Sequence, residues 1–391
     1  MPIEVRTPAL EEVERYIEVH RTGFNSYWDP AQRTRNIEFL SAPTGQTLHA
    51  AYEGGEMIGT AMSIPLTVAM PGGTAVPVSG LTWVATLPNH RRRGVMAALI
   101  DTHLAHAREQ GAVASVLDAF ESALYGRYGY GAATYDVEVT IPTSRITFRE
   151  PPTGRQIRFA EAADSVAVMQ RVWHEAQKQR AGMTNRPDPE IEWWAAKHEG
   201  FLILAGGAAG EVDGYATYTV DERWSPTQHP DHKVKVGELI ACSTEAYAAL
   251  WSTLISLDMA TEVVARYRPV DELLPHLVTA PRRIDRSHLA DSLWLKPLDV
   301  QALLAARTYR PGPACTIEVE GGRLRIDPAD GSVTRTDAPP DATMTRAAFG
   351  ALVLGGSGAT VLAGAGQISG DAERADALLG WSHAPWSPLQ F

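Results

Sequence analysis

The chain has 391 residues, 45% apolar and 21% charged, a composition typical of a folded protein of two or three domains, which excludes global disorder. Lys and Arg number 35 against 46 Asp and Glu, giving a net charge of −11. Nucleic-acid binding relies on excess basic charge, so no DNA or RNA partner is expected. Cys242 and Cys315 form no CxxC pair, and residues 1–20 lack a signal-peptide pattern, so we expect a cytoplasmic protein without disulfides.

The first 144 residues predict an α+β domain. Helical apolar spacing over residues 11–20 is followed by alternating segments and then by a helix that begins near residue 95. The order helix, antiparallel strands, helix, strand predicts a mixed central sheet with flanking helices. The predicted strands lie at residues 47–52, 57–68, 76–87 and 113–117, with turns at residues 53–56 and 71–73.

Two further units follow the first. Residues 145–158 are rich in Pro, Thr and Arg, which places a boundary after residue 144. The second unit, residues 145–295, repeats the plan of the first, and the third unit is residues 296–391. Their predicted helices lie at residues 164–180, 243–259, 298–309 and 372–379, and their predicted strands at residues 201–204, 214–220, 233–240, 316–319 and 323–327.

An uncharged stretch at residues 349–366 is long enough to raise the alternative of a membrane span. It contains six glycines, and the Gly-Gly-Ser-Gly run at residues 355–358 divides it in half. Such a break favours two short buried elements around a turn. We therefore expect no membrane partner.

A basic cluster, residues 90–94, stands where a predicted strand meets a helix. Free backbone N–H groups and the positive end of the helix dipole attract anions there, and Gly94 lets a phosphate approach the backbone. Arginines add charge-assisted hydrogen bonds, so the cluster predicts a pyrophosphate site. The alternative, a solvated basic cluster, conflicts with a dipole that repels cations at this end.

The loop Arg91-x-x-Gly94-x-Met96 resembles the acetyl-CoA loop of the GNAT acetyltransferases, Arg/Gln-x-x-Gly-x-Gly/Ala, except at its last position. A narrower group, the Eis (enhanced intracellular survival) N-acetyltransferases, shows the same departure. The chain also resembles this group in the Tyr-Gly-Arg-Tyr-Gly-Tyr-Gly block at residues 125–131 and in its final Phe391. The resemblance covers the whole chain. It implies tandem GNAT-like units, the second without the cofactor loop, followed by a sterol-carrier-protein-like α+β domain.

By this resemblance the protein transfers an acetyl group from acetyl-CoA directly to an amine. Tyr125 would be the general acid and the main-chain carboxylate of Phe391 the general base. An unperturbed terminal carboxylate is a weak base, so burial of the apolar tail would have to strengthen it. The residues implied to contact acetyl-CoA are Val84, Ala85 and Thr86 along the pantetheine arm, Arg91, Arg92, Arg93, Gly94, Val95, Met96 and Ala97 in the pyrophosphate loop, and Glu121 near the thioester.

The resemblance also implies the acceptor, an aminoglycoside-like amine, a polyamine or a lysine. Acidic pocket residues would suit such cations, and Glu38, Asp118 and Glu121 are candidates by position. Trp83 either lines this pocket or belongs to the core. Family members with broad aminoglycoside activity tend to carry an acid where this chain has Gln390, so its acceptor preference is left open.

The remaining expectations concern metal, assembly and a rival function. His103 and His106 share a helix face but lack further ligands, so no metal site is expected. The family forms ring-like oligomers, which implies a homo-hexamer. The alternative function is a non-catalytic carrier that binds acyl-CoA or an apolar ligand.

Overall fold

A computed structural model describes residues 2–42 and 45–391 of the chain. In the first part, helical apolar spacing builds α1, whose Val13, Tyr16 and Ile17 are buried, and a Gly-Gly turn joins β2 to β3. The helices are α1 Val13–Gly23, α2 Pro30–Ser41, α3 Val95–Glu109 and α4 Ser122–Tyr125, and the strands are β1 Glu4–Arg6, β2 Thr47–Glu53, β3 Glu56–Ala69, β4 Ala75–Thr86, β5 Ala114–Asp118 and β6 Gly131–Ala132.

The middle part of the chain follows the same order, with a helix, antiparallel strands, a second helix and a further strand. Its strands are β7 Tyr135–Pro142, β8 Gln156–Ala160, β9 Phe201–Gly206, β10 Val212–Asp221, β11 His232–Ala241, β12 Ala260–Pro269 and β13 Asp285–Asp291, and its helices are α5 Val166–Gln179, α6 Asp188–Lys197, α7 Thr244–Ile255 and α8 Leu274–Leu277.

The last part forms a smaller unit of short elements. Its strands are β14 Leu293–Pro297, β15 Cys315–Val319, β16 Gly322–Asp327, β17 Ser332–Arg335, β18 Ala342–Met344 and β19 Ile368–Gly370, and its helices are α9 Val300–Ala305, α10 Arg346–Leu352, α11 Ala359–Gly364 and α12 Ala372–Leu379. The predicted break in the uncharged stretch is confirmed, because α10 and α11 lie on either side of residues 353–358. Within residues 2–42 and 45–391, no helix has both the length and the apolar character needed to cross a membrane.

The described strands form three sheets, with the orders β1-β2-β3-β4-β5-β14-β6, β13-β7-β12-β11-β10-β9-β8 and β17-β16-β15-β18-β19. The first two sheets each contain a parallel pair, β4 with β5 and β11 with β12, among antiparallel neighbours. The predicted α+β fold with mixed sheets and flanking helices is therefore confirmed.

Two strands cross the unit boundaries that the sequence predicts. Strand β7, which the first unit at residues 1–144 included, pairs with β12 and β13 in the second sheet. Strand β14, which straddles residues 295 and 296, pairs with β5 and β6 in the first sheet. The second sheet is thus inserted between two strands of the first, an arrangement that depends on long-range pairing and that local patterns do not reveal.

The buried side chains form one core that the first and third sheets share and two cores on the second sheet. The shared core contains Leu99 and Tyr130 from the first part of the chain and Phe349 and Leu379 from the last part. The third unit is therefore packed directly on the first. This packing fixes the position of α12, which the last residues of the chain follow.

Candidate active site

A crevice opens where β4 and β5 separate. The two strands pair only through Val78, Ser79 and Gly80 of β4, although β4 continues to Thr86. Parallel strands that diverge at their carboxyl ends leave a crevice in which ligands bind. A cavity of about 340 Å³ lies at this point, between residues 81–84 of β4 and residues 118–120 after β5.

The open edge of β4 includes the three residues predicted to contact the pantetheine arm. Thr86 and Ala85 pair with Gly59 and Thr60 of β3 on one side of β4, and none of the described strands pairs with this part of β4 on the other side. An extended ligand can add itself to such an edge by main-chain hydrogen bonds. Val84 lines the cavity. The contacts of Val84, Ala85 and Thr86 with acetyl-CoA remain predictions.

The predicted pyrophosphate loop lies at the start of α3. Gly94 is the N-cap residue with φ +88°, and no side chain of the described residues caps the helix, so the first backbone N–H groups stay available for an anion. A Cβ at Gly94 would meet nothing within 4 Å, which leaves the space above the loop open. The corresponding helix of the second unit differs, since Ser243 Oγ accepts a hydrogen bond from Ala246 N–H at the start of α7.

The three arginines before Gly94 have different surroundings. Arg91 donates to the carbonyl oxygen of Gly23 at 2.9 Å, and Arg93 donates to Glu53 at 2.6 Å. Arg92 is exposed, has φ +62° and has no hydrogen-bond partner in the described part of the chain. Arg92 is therefore the arginine of the three whose whole hydrogen-bonding capacity remains for a phosphate.

One wall of the cavity is aromatic. The ring of His20 lies 4.4 Å from that of Trp83 and 4.6 Å from that of Phe24, and Phe24 contacts Phe120 edge-on at 5.4 Å. Burial lowers the pKa of His20 to about 4, so this imidazole is neutral at physiological pH. Trp83 lines the cavity and also packs on the core, and its contact with an acceptor stays a prediction. Aromatic faces attract cations.

Trp83 owes its position to an irregularity in β4. Its φ is +55°, and the register between β3 and β4 shifts between Thr60 and Met62. The carbonyl oxygen of Trp83 accepts hydrogen bonds from Thr60 Oγ1 at 2.8 Å and from His20 Nδ1 at 3.3 Å. A β-bulge of this kind redirects a side chain beside a functional site.

Tyr125, at the end of α4, is buried and lines the same cavity. Its hydroxyl has no hydrogen-bond partner within residues 2–42 and 45–391, and its ring contacts Tyr130 edge-on at 6.0 Å. Burial raises the pKa of Tyr125 to about 12, and Tyr128 adds to the rise. The phenol therefore keeps its proton at neutral pH and has it available for a bound ligand.

The end of the chain also lines this cavity. Gln390 donates to Ser292 Oγ at 3.2 Å, and the main-chain N–H of Phe391 donates to Asp118 Oδ2 at 3.2 Å. The Phe391 ring lies against β4, where a Cβ on Gly80 would come within 2.9 Å of it. The structure thus brings Tyr125 and Phe391, which lie far apart in sequence, into one cavity.

The acidic candidates differ in whether they line the cavity. Asp118 lines the cavity, together with Asp291, which the sequence patterns did not single out. Glu121 is exposed and does not line the cavity, and Glu38 forms an ion pair with Lys197 at 2.5 Å. Asp291 comes to the site because β14 enters the first sheet directly after it, so no local signal could have identified it. The proposed contact of Glu121 with the thioester remains a prediction.

His103, which the sequence predicts not to bind a metal, lies in the core and is hydrogen-bonded there, as is His49 of β2. His103 is fully buried between Ser63 and Ser115, with both nitrogens 2.7 Å from a serine oxygen. His49 contacts Ser63 at 2.8 Å. No group of three or more His, Cys, Asp or Glu side chains that could hold a metal ion occurs in the described ranges, and independence from metal stays a prediction.

Comparisons with known proteins agree with this architecture. Residues 4–133 and 182–294 each match a model of the acetyltransferase (GNAT) domain, and residues 300–388 match a sterol carrier protein domain. The chain is 32% identical over its whole length to an uncharacterized N-acetyltransferase of Streptomyces avermitilis, covering 99% of that protein. It is also 32% identical to N-acetyltransferase Eis of Mycobacterium bovis, over 81% of this chain and 80% of the relative. The crystal structure of Eis1 from Mycobacterium abscessus matches with a TM-score of 0.86 and 29% identity over 100% of both chains.

Proposed function

This chain belongs to the Eis family of GNAT N-acetyltransferases and is an acetyl-CoA-dependent enzyme, and we propose that it transfers the acetyl group directly to a cationic primary amine. Tyr125 acts as the general acid and the carboxylate of Phe391 as the general base. The observation that carries the proposal is the meeting of both groups in one cavity at the open edge of β4.

The proposed reaction needs two proton transfers. The ammonium group of the acceptor first loses one proton to solvent, because only the neutral amine has a lone pair. Its nitrogen then attacks the thioester carbonyl carbon and gives a second proton to the Phe391 carboxylate, and the C–S bond breaks as Tyr125 donates its proton to the departing sulfur. The products are the acetylated amine and the CoA thiol, and proton exchange with solvent restores both residues. The acetyl-CoA itself is held along residues 84–86 and by the loop from Arg91 to Ala97.

The cavity lining supports a cationic acceptor. Asp118 and Asp291 supply carboxylates, and His20, Phe24 and Trp83 supply ring faces. Among the described residues, no Lys or Arg lines this cavity. An aminoglycoside-like amine, a polyamine or a lysine fits this lining because each is a cation with N–H donors.

The proposed organisation assigns residues 1–144 to the catalytic unit, residues 145–295 to a GNAT-like unit without a cofactor loop, and residues 296–391 to the unit that delivers the terminal carboxylate. We further propose that the protein is cytoplasmic, that it needs no metal and that it assembles as a homo-hexamer. Light scattering after size exclusion tests the assembly, and a mass far from six chains would contradict it.

The decisive experiment measures release of CoA thiol from acetyl-CoA with kanamycin, spermidine and a lysine-containing peptide. Rapid release with at least one amine is expected. A variant with Gly-Ser-Gly-Ser added after Phe391 should lose turnover and retain acetyl-CoA affinity, whereas the same extension placed before residue 1 should be harmless. Full turnover with the extension after Phe391 would refute the base, and acetyl-CoA binding without thiol release would favour a non-catalytic carrier.

A further inference from the structure

The second sheet has a crevice at the place that corresponds to the candidate active site of the first sheet. Strand β11 pairs with the parallel strand β12 only through residues 232–236, although β11 continues to Ala241. Trp386, from the end of the chain, lies against both strands beyond this point, and its indole N–H donates to the carbonyl oxygen of Tyr267 at 2.7 Å. A cavity of about 470 Å³ remains beside the indole ring, which is large enough for a small organic molecule.

The walls of this second cavity combine apolar surface with charged groups. They come from the end of α5, the end of β11, the start of α7, the segment between β12 and α8, and the last residues of the chain. The apolar part includes Met183, Leu239, Tyr247, Leu273 and Trp386, and the titratable part includes Arg180, Cys242, Arg268, Asp271, Glu272 and His383. Such a lining suits a ligand that has both an apolar body and a polar group.

One wall contains a buried carboxyl group that is only half used. Arg268 and Glu272 are 4% and 1% exposed. Arg268 Nε donates to Glu272 Oε2 at 3.1 Å, and Arg268 Nη1 donates to the carbonyl oxygen of Leu239 at 2.9 Å. Glu272 Oε1 is buried and has no hydrogen-bond partner among the residues that the structure describes. A buried polar atom of this kind destabilises the fold unless a ligand or water binds it.

A second unpaired atom lies in the same lining. Arg180 forms an ion pair with Asp271, and Asp271 Oδ2 also accepts a hydrogen bond from the Ala384 N–H at 3.1 Å. Arg180 Nε is buried without a hydrogen-bond partner within residues 2–42 and 45–391. An N–H group that faces no acceptor in the protein can be satisfied by an oxygen of a ligand.

The charges of the lining favour an anion. Asp271 balances Arg180. Burial raises the pKa of Glu272 to about 8, so this carboxyl group is largely protonated at neutral pH. Burial lowers the pKa of Arg268 to about 9, so Arg268 keeps its charge there without a compensating carboxylate in the lining. The cavity also reaches residues 243 and 244 at the start of α7, where the helix dipole is positive.

We propose that this cavity binds a small organic anion in which a carboxylate or phosphate ester group is joined to an apolar body. The anionic group accepts hydrogen bonds from the guanidinium groups of Arg180 and Arg268, whose geometry suits a carboxylate and a phosphate equally. The body packs on Met183, Leu273 and Trp386. The proposal goes beyond acetyl transfer, because the cavity lies in the second unit and involves neither Tyr125 nor Phe391.

Calorimetric titration of the full-length protein tests the ligand class. Phenylacetate and phenyl phosphate represent the two head groups, and we expect at least one of them to bind with a Kd below about 1 mM. Neutral 2-phenylethanol and inorganic phosphate should each bind at least about tenfold more weakly, because each lacks one of the two parts. Absence of binding by both aromatic anions would overturn the inference, and so would equal binding of either comparison compound.

Nuclear magnetic resonance of the methionine methyl groups locates the bound anion in the unmodified chain. Met183 lines the second cavity, whereas Met96 lies at the start of α3 beside the proposed pyrophosphate loop. With ¹³C-methyl methionine, the anion that binds should shift the Met183 signal and leave the Met96 signal in place. A shift of Met96 without a shift of Met183 would place the anion in the first unit and overturn the inference.

Variants of Arg180 test the proposed contact. Arg180→Gln should weaken binding of the aromatic anion by about tenfold or more, and Arg180→Lys should have an intermediate effect, because it keeps the charge but loses the planar fork. Arg158→Gln removes an exposed positive charge from β8 of the same unit, outside the cavity, and should bind as the wild type does. An unchanged Kd in folded Arg180→Gln would overturn the inference. If circular dichroism shows that Arg180→Gln does not fold, the Met183 signal of the unmodified chain decides.

Discussion

The Phe391 ring packs against Gly80 of β4. A substitution at Gly80 therefore tests the position of Phe391 without altering either proposed catalytic group. A Cβ added at Gly80 would lie 2.9 Å from Phe391 Cε2 and 3.0 Å from Leu66 Cδ1. Carbon atoms pack at about 3.5–4.0 Å, so in Gly80→Ala the ring must move by about 0.6–1 Å. The N–H that binds Asp118 belongs to the same residue as the carboxylate, so a shift of Phe391 as a whole displaces both.

A displacement of about 1 Å in a reacting group reduces turnover by up to about 100-fold. We expect Gly80→Ala to lower kcat by about 10- to 100-fold and to destabilise the fold by about 1–3 kcal/mol through overpacking. The affinity for acetyl-CoA should stay within about twofold, because the proposed pantetheine edge begins beyond Gly80. Thiol-release kinetics and calorimetric titration with acetyl-CoA measure the two effects.

The matched comparison is Gly364→Ala on α11, where an added Cβ meets nothing within 4 Å. That variant should keep wild-type kcat. If Gly80→Ala folds and turns over within about twofold of the wild type, the ring does not set the position of the carboxylate, and the link between packing and catalysis is refuted.

Three further predictions follow from the site and its core. Tyr125→Phe should lower kcat by about 100-fold or more with unchanged acetyl-CoA affinity, since general acids contribute about 10²–10⁴; unchanged kcat in single-turnover measurements would show that Tyr125 is not the acid. Arg92→Ala should weaken acetyl-CoA binding by about tenfold or more through loss of a charge-assisted contact with phosphate, with kcat retained at saturation; equal Kd values in calorimetry would contradict this. Burial lowers the pKa of His103 to about 3 and of His49 to about 4, so their stabilising contribution is complete above about pH 6.5 and decreases as pH falls toward these values, by about 1.4 kcal/mol per unit for each. Urea denaturation between pH 4 and 8 should show this slope, His103→Gln should make it shallower, and equal slopes would contradict the assignment.

Sequence patterns predicted the elements that repeat over several residues. The Gly-Gly hairpin between β2 and β3 and the buried stripe of α3 follow from local periodicity, and both are confirmed. Helix α2 escaped prediction because Leu40 is its one buried residue in the described structure, so it presents no apolar stripe. The helices predicted at residues 243–259 and 298–309 extend too far, because α7 ends at Ile255 and α9 ends at Ala305.

Some features of the site can be predicted from local sequence, and others depend on contacts between residues far apart in the chain. The anion loop at Gly94 is visible in sequence because one glycine and one helix start define it. The contact between Asp118 and Phe391 joins residues 273 positions apart, and Asp291 enters the cavity through the pairing of β14 with β5. Sequence spacing carries no record of such contacts, so they are visible only in the fold.

The last residues of the chain pack on the second GNAT-like unit. In that unit the start of α7 is capped by Ser243. After α12 the chain leaves the core shared by the first and third sheets and crosses the second sheet, where Trp386 N–H donates to Ala181 and its indole N–H donates to Tyr267 O at 2.7 Å. The guanidinium of Arg268 lies 5.2 Å from the Trp386 ring. These contacts fix the tail five residues before the carboxylate, so it reaches the cavity with little remaining freedom. Pre-ordering a reacting group lowers the entropy that the reaction must supply, so in the proposed mechanism these contacts with the second unit help to hold the terminal carboxylate in place for proton transfer.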